Sequence, residues 1–413
     1  MVVFNKTKLD NGLTVLAHRD RNTPIVAMNL IYKVGSKYED PHRTGFAHLF
    51  EHLMFGGSIN VPKYDIPLEH AGGENNAFTN ADYTNYYLTL PKNNIETAFW
   101  LESDRMLGLD FSQRSLDVQK QVVIEEFKQN YLNQPYGDVY LLLKPLAYKA
   151  HPYRWSTIGR EISHIEGAHL DEVIAFYKQY YNPDNAILSV AGDVDPDEVF
   201  RLAEHWFGPL PAGNKVAPGY PEEPVHTEAH HQSVYRNVPQ DALYMAFHMP
   251  ARRDQGYYRA DLISDVLSNG HSARLYQKLV KERKMFTSLQ AFITGDIDGG
   301  LFIITGKLMK GVTMEEAEAA IWEELHRFAN DLITEEELTK IKNKIEANQV
   351  FSRMPVLNKA MNLGYFEMLG DAMEWNMEIE KYQRITRDDL SEQVSTMLAE
   401  SKKNTLYYYA QPK

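Results

Sequence analysis

The sequence predicts an α+β protein of two homologous domains related by duplication, each a mainly antiparallel sheet with helices packed on it. Three observations carry this. Segments with helical and strand periodicity alternate in both halves of the chain instead of segregating to one end. The second half restarts an order of elements similar to that of the first. Between them, residues 208–224 hold five Pro and three Gly in seventeen positions, a composition that connects packed bodies and does not form one. The expected division is 1–212 for the first domain, 213–232 for a linker and 233–413 for the second domain. A chain of 413 residues exceeds what one ordinary core organises.

In chain order, Asp10-Asn11-Gly12 is a turn signal, followed by strands at 13–18 and 25–34. The apolar run 45–55 reads as a helix, ended by Gly56-Gly57-Ser58. A short helix at 63–70 precedes Gly72-Gly73 and a hairpin of β-prone segments at 76–79 and 84–90. Residues 93–107 form an amphipathic helix, and Ser112 caps a longer one reaching about Leu132. A helix at 168–181, a strand at 185–191 and a helix at 196–207 close the first half. The second half reads as strand 243–249, helix 257–268, strand 300–307, helices 314–329, 334–351 and 387–400, and strand 405–409. Its first helix falls 213 to 215 residues after the run 45–55; at an offset of 213, Asp261, Ser264 and Asp265 correspond to His48, Glu51 and His52.

Composition narrows the classes of function. Net charge −13 excludes the basic stripe of a nucleic-acid surface. No run approaches the 18 apolar residues of a membrane span, and the first residues lack a charged-then-apolar leader, so cytoplasmic and periplasmic locations both fit. The chain has no Cys, which restricts any metal site to nitrogen and oxygen ligands.

The run 45–55 is almost wholly apolar, yet it carries His48, Glu51 and His52 in the spacing H-x-x-E-H. Positions i, i+3 and i+4 share one helical face, so two imidazoles and a carboxylate converge there. Burying them without partners costs roughly 1–3 kcal/mol for each neutral group and more for a charge. A bound metal removes that cost; the alternative is a polar satellite of a core helix. On the helix that follows Ser112, Leu116, Val123, Ile124, Phe127 and Tyr131 make one apolar stripe. Glu126 borders the stripe and Glu125 lies nearly opposite. Glu126 is thus either the third ligand that His48 and His52 need or a rim carboxylate reaching water. Because a set of His48, His52 and Glu126 is complete without Glu51, Glu51 reads as a general base.

These features together resemble the pitrilysin/insulinase zinc metallopeptidases, along the whole chain. The blocks that match are the H-x-x-E-H helix, Asn76-Ala77-Phe78-Thr79 with Thr84-Asn85-Tyr86-Tyr87, and Val122-Val123-Ile124-Glu125-Glu126. His151-Pro152-Tyr153, Ile158-Gly159 and Tyr181-Asn182-Pro183 are similar to further family blocks. The resemblance implies Zn2+ held by His48, His52 and Glu126, 74 residues beyond His52, with Glu51 as base. It also implies that substrate backbone is received along Asn76, Ala77 and Phe78, as a strand added at a sheet edge. Gln119 stands where the family usually has a supporting Glu.

A second departure concerns an Arg and a Tyr, seven apart, that active members carry in the C-terminal half. Here those positions read Val280 and Thr287, within a block 272–288 that otherwise matches. Val binds no carbonyl or carboxylate, and Thr is too short to replace a phenol. Nearby Lys281 and Arg283 point elsewhere on a helix. The branch implied is the two-subunit one typified by processing peptidases, with this chain as the zinc-bearing subunit of a heterodimer and a homologous Arg/Tyr subunit as partner. The expected function is metalloendopeptidase action on peptides or unfolded polypeptides through a metal-activated water. The alternatives are a non-catalytic scaffold, a peptide-binding subunit, and a homodimer using another basic residue.

Overall fold

The computed structural model describes residues 1–213 and 219–411. Positions 214–218 of the expected linker, and the last two residues of the expected second domain, lie outside the described residues. The elements run β1 (Asn5–Lys8), β2 (Thr14–Arg19), β3 (Ile25–Tyr32), α1 (Phe46–Leu53), α2 (Asp65–His70), β4 (Glu74–Thr79), β5 (Thr84–Pro91), α3 (Ile95–Leu107) and α4 (Gln113–Phe127). They continue through α5 (Val139–Ala147), α6 (Ile162–Glu166), α7 (Leu170–Tyr180), β6 (Ala186–Gly192) and α8 (Pro196–Phe207). The second half is β7 (His230–Arg236), β8 (Ala242–His248), α9 (Gln255–Ser268), β9 (Phe286–Ile293), β10 (Leu301–Leu308), α10 (Met314–Asn330), α11 (Glu335–Ser352), α12 (Val356–Leu369), α13 (Glu374–Gln383), α14 (Arg387–Met397) and β11 (Asn404–Ala410). None of the helices is long and apolar enough to cross a membrane, among the described residues.

Local chemistry places many of the boundaries. Ser112 accepts from the Ser115 N–H at 3.2 Å and starts α4. Asp195 caps α8, with Pro196 in its first turn. Thr313 and Glu316 form a reciprocal capping box on α10. The helix α4 ends at Phe127 and passes into a wider π-helical turn over Lys128–Leu132, so the expected helix to Leu132 changes form at its end.

Two sheets form, one in each compact unit. The first has the order β1-β2-β6-β3-β5-β4, and the second β7-β11-β8-β10-β9. With β1 set aside, the two orders agree strand for strand. The parallel pair β2–β6 matches the parallel pair β7–β11, and the other pairs within both sheets are antiparallel. In chain order, α1 joins β3 to β4 and α9 joins β8 to β9. One fold has been used twice, as the sequence predicts.

The compact units nevertheless do not follow a single cut. The first comprises Met1–Gln129, Trp155–Pro221 and Val350–Met377, and the second comprises Asn130–Arg154, Glu222–Gln349 and Glu378–Lys413. This differs from the division at 212 and 233, because each half of the chain lends the other unit a segment. The helix α12, from the second half, lies on β3 and β6 of the first sheet through small residues. Ala360 packs on Ala27 and Ala191, and Ser189 Oγ donates to the Ala360 carbonyl at 2.7 Å. A Cβ on Gly364 would meet Ser189 Oγ at 2.9 Å and both Asn29 Nδ2 and Ile31 Cδ1 at 3.0 Å. In the second unit, α5 carries Asp138 at its start, where Tyr408 of β11 donates to it at 2.7 Å.

The block 272–288 also differs from its expected helix. A π-helical turn covers Tyr276–Glu282, and the strand β9 begins at Phe286. Val280 packs against the second core, Thr287 lies exposed on a strand, and Arg283 pairs with Glu323 at 2.5 Å.

The close approach at Gly364 gives a test. Gly364→Val is expected to lower unfolding stability by about 1–3 kcal/mol in a urea titration. An unchanged midpoint would mean that α12 does not lie on the first sheet.

Candidate metal centre

The site is built on α1. Gly45 precedes the helix with φ of 92°, and a Cβ there would meet Ile165 Cδ1 at 2.6 Å and the Ile158 carbonyl at 2.8 Å. Only glycine fits both the backbone angle and the space. The exposed N–H groups of the first turn are met from outside the helix. Glu39, 6% exposed, accepts from Gly45 N at 2.9 Å and Ala47 N at 2.8 Å. Burial pushes this carboxyl up to about 8, against the pull of the two N–H bonds. The apolar face holds the helix in place: Ala47, Leu49 and Phe50 are fully buried, and Phe50 stacks on Phe176 at 5.0 Å and Tyr181 at 5.2 Å.

With α1 so fixed, its polar face meets α4. His48 Nε2 and His52 Nε2 lie 3.3 Å apart, and each is 3.5 Å from Glu126 Oε2. A tetrahedral zinc with bonds of roughly 2.0–2.1 Å separates its ligand atoms by about 3.3–3.4 Å. The triangle therefore has the dimensions of three zinc ligands before any ion is placed. Burial holds His48 below the usual imidazole range, which leaves its ring neutral with a lone pair available. Two imidazole nitrogens and one carboxylate oxygen form a donor set suited to zinc. Among the described residues this is the one group of three or more such side chains close enough to share an ion. Glu125 points away, its side chain 67% exposed and paired with Lys128 at 2.8 Å.

The remaining candidates surround this triangle. Glu51 is half-buried; burial raises its carboxyl above the usual carboxylate range, partly offset by hydrogen bonds from Thr79 of β4. It thus sits between the helix α1 and the strand β4. That strand ends the first sheet and pairs only with β5, so its outer edge has no strand partner among the described residues. Asn76, Ala77 and Phe78 lie on it, with Asn76 exposed and its Oδ1 accepting from Ala77 N at 2.8 Å. Gln119 lies two turns before Glu126 on α4, half-buried.

Sequence reasoning missed Glu39 and Thr79. Thr79 was legible as part of a hairpin, but not as a hydrogen-bond donor to Glu51. Glu39 stands six residues before Gly45, outside the positions from which a side chain ordinarily caps its own helix, so no local signal marks it.

Comparison with known proteins gives the family. The model of the insulinase family, peptidase family M16, matches residues 14–159, and that of the peptidase M16 inactive domain matches 168–345. The zinc protease PqqE of Helicobacter pylori is 29% identical over 340 residues, covering 81% of this chain and 76% of that protein. A probable mitochondrial-processing peptidase subunit beta of Schizosaccharomyces pombe is 26% identical over 310 residues, covering 72% and 67%. The crystal structure of a protease from Helicobacter pylori superposes with a TM-score of 0.93 at 25% identity, over the full length of both chains. The chain belongs to the insulinase family of peptidases, peptidase family M16.

Proposed function

We propose that this chain is the zinc-bearing subunit of a metalloendopeptidase, in which His48, His52 and Glu126 hold the ion and Glu51 is the general base. The observation that carries the reading is the triangle of 3.3, 3.5 and 3.5 Å formed by two imidazole nitrogens and a carboxylate oxygen. A zinc ion held there supplies Lewis acidity to a water molecule and to a peptide carbonyl. The rest falls to the chain. Glu51, on the same helical face and raised by burial, takes a proton from the attacking water and returns it to the leaving amine. A carboxyl raised toward working pH serves both steps better than one at its ordinary value. The open edge of β4 receives the substrate backbone, and Asn76, Ala77 and Phe78 hold it extended beside Glu51. Gln119 supports the ligand Glu126 from the preceding turns of α4 without adding charge.

What the chain lacks supports a partner. Val280, packed on the second core, and the short Thr287 offer no cation and no phenol to a developing oxyanion. The relative named as a beta subunit of a processing peptidase supports a heterodimer completed by a homologous chain carrying Arg and Tyr. The same two residues favour the second reading, a subunit that captures peptides without cutting them.

Three measurements separate these. Glu51→Gln is expected to lower peptide hydrolysis by on the order of 10²–10⁴-fold while bound zinc is retained; full activity would overturn the base assignment. In a zinc-competition titration, Glu126→Ala should weaken binding by about 100-fold or more, whereas Glu125→Ala leaves it near wild type. The reverse order would mean that the other carboxylate is the ligand. Adding a homologous Arg/Tyr subunit should raise turnover on the order of 100-fold, the scale of restoring oxyanion donors, and robust cleavage by the isolated chain would contradict a split site.

A further inference from the structure

One cavity of the first unit has chemistry that the proposed catalytic groups leave unused. A pocket of about 190 Å³ lies beside α12, walled by Met361, Asn362 and Tyr365 of that helix and by Phe78, Tyr83 and Asn85 of the β4–β5 hairpin. The pleat places it on the far side of the sheet from the candidate metal centre. Ala77 and Thr79 of β4 pair with Tyr86 and Thr84, on the side where Glu51 meets Thr79. Asn76 and Phe78 pair with Tyr87 and Asn85, so their side chains stand on the opposite face.

Asn85 is 1% exposed, and neither Oδ1 nor Nδ2 has a hydrogen-bond partner. Asn29, diagonal to it on β3, is fully buried with both amide atoms in the same condition. Each such group is left desolvated at a cost in stability unless something supplies the missing bond. An amide that lacks both a donor and an acceptor is matched by another amide, which offers one of each. Among the described residues none that lines the pocket is charged, so a charged group entering it loses its hydration without a counter-charge. The walls are aromatic: the Tyr83 and Tyr365 rings pack on each other at 5.8 Å, and Phe78 meets Tyr83 edge-on at 5.7 Å, so the methylene stem of a side chain has apolar surface to lie on. The volume equals that of about six waters at ~30 Å³ each, which is room for one medium-sized side chain.

We propose that this pocket is a specificity subsite that takes a carboxamide side chain, that of Gln, from the peptide bound along β4. A strand added to the open edge of β4 alternates its side chains between the two faces of the sheet. Those on the Asn76 and Phe78 face are directed toward the pocket and away from the metal. The inference rests on the strand-addition reading of Asn76, Ala77 and Phe78, and it assigns Asn85 as the residue that recognises the amide.

The test uses the zinc-loaded full chain carrying Glu51→Gln, so that peptides are bound and not consumed. Extended peptides that differ at one scanned position in Gln, Leu, Glu or Lys are titrated by fluorescence anisotropy. At one position Gln is expected to bind about tenfold more tightly than Leu, and more tightly still than Glu or Lys. Asn85→Leu in the same background should bring the Gln-to-Leu ratio to about one. Zinc content and melting temperature report whether that variant is folded. Met361→Trp, which fills the pocket from the half-buried side of α12, should abolish the same preference by a different route. Retained peptide binding with no Gln preference at any position, or a preference that survives both substitutions, overturns the subsite alone. Absence of peptide binding by the parent chain overturns the strand-addition reading and the subsite with it.

Discussion

Three polar side chains on one face of an otherwise buried helix need compensation, and the first unit is arranged around supplying it. On α1 the apolar face is locked by Phe50 against Phe176 and Tyr181, and the first turn is tied down by Glu39. The helix then has no freedom to rotate its polar face into water. His48, Glu51 and His52 must find partners where they stand. Glu126 meets the two imidazoles from α4, and Thr79 meets Glu51 from β4. A site assembled from two helices and a sheet edge is held by packing rather than by loops, the kind of support that a precisely placed set of donor atoms requires.

The duplicated unit shows the same topology without that constraint. At a sequence offset of 213 from His48, Glu51 and His52, the helix α9 carries Asp261, Ser264 and Asp265. Burial pushes Asp261 up to about 6, and the Tyr382 hydroxyl donates to it at 2.6 Å. Asp265 is hydrogen-bonded by Asn269, and Ser264 turns its hydroxyl back to the Asp261 carbonyl at 2.8 Å. Here each polar group is satisfied by a neighbouring hydroxyl, amide or backbone carbonyl. Equivalent frames therefore meet the same cost in two ways, and only the first leaves three ligand atoms facing one another.

Much of this was legible because it is written locally. The spacing of His48, Glu51 and His52 fixes a helical face by geometry alone, and the apolar stripe of α4 separates Glu126 from Glu125 without reference to any other element. The capping Ser112 did the same for the start of α4. What stayed illegible depends on contacts distant in sequence. The strand β7 reads His-His-Gln-Ser-Val-Tyr-Arg; its more buried and exposed positions alternate, but polar residues fill most of both faces, so no apolar alternation shows, and β11 beside it supplies the pairing that makes it a strand. The helix α12 presents Ala360 and Gly364 to the first sheet, and small residues announce no apolar stripe. Its assignment to the first unit follows from a fit to Ala27, Ala191 and Ser189 that no window of sequence contains. In the block 272–288, Lys284 adopts φ of 50° between the π-helical turn and β9, a reversal that its residue type does not signal.

The proposed metal centre is tested most directly by zinc K-edge X-ray absorption on the purified, zinc-loaded chain. The expected result is a four-coordinate shell of nitrogen and oxygen atoms at about 2.0–2.1 Å, with the outer-shell scattering of two imidazole rings. In His48→Ala and in His52→Ala, one ring's signal should disappear each time. A shell with fewer than two imidazoles, or one unchanged by either substitution, would contradict the proposed centre.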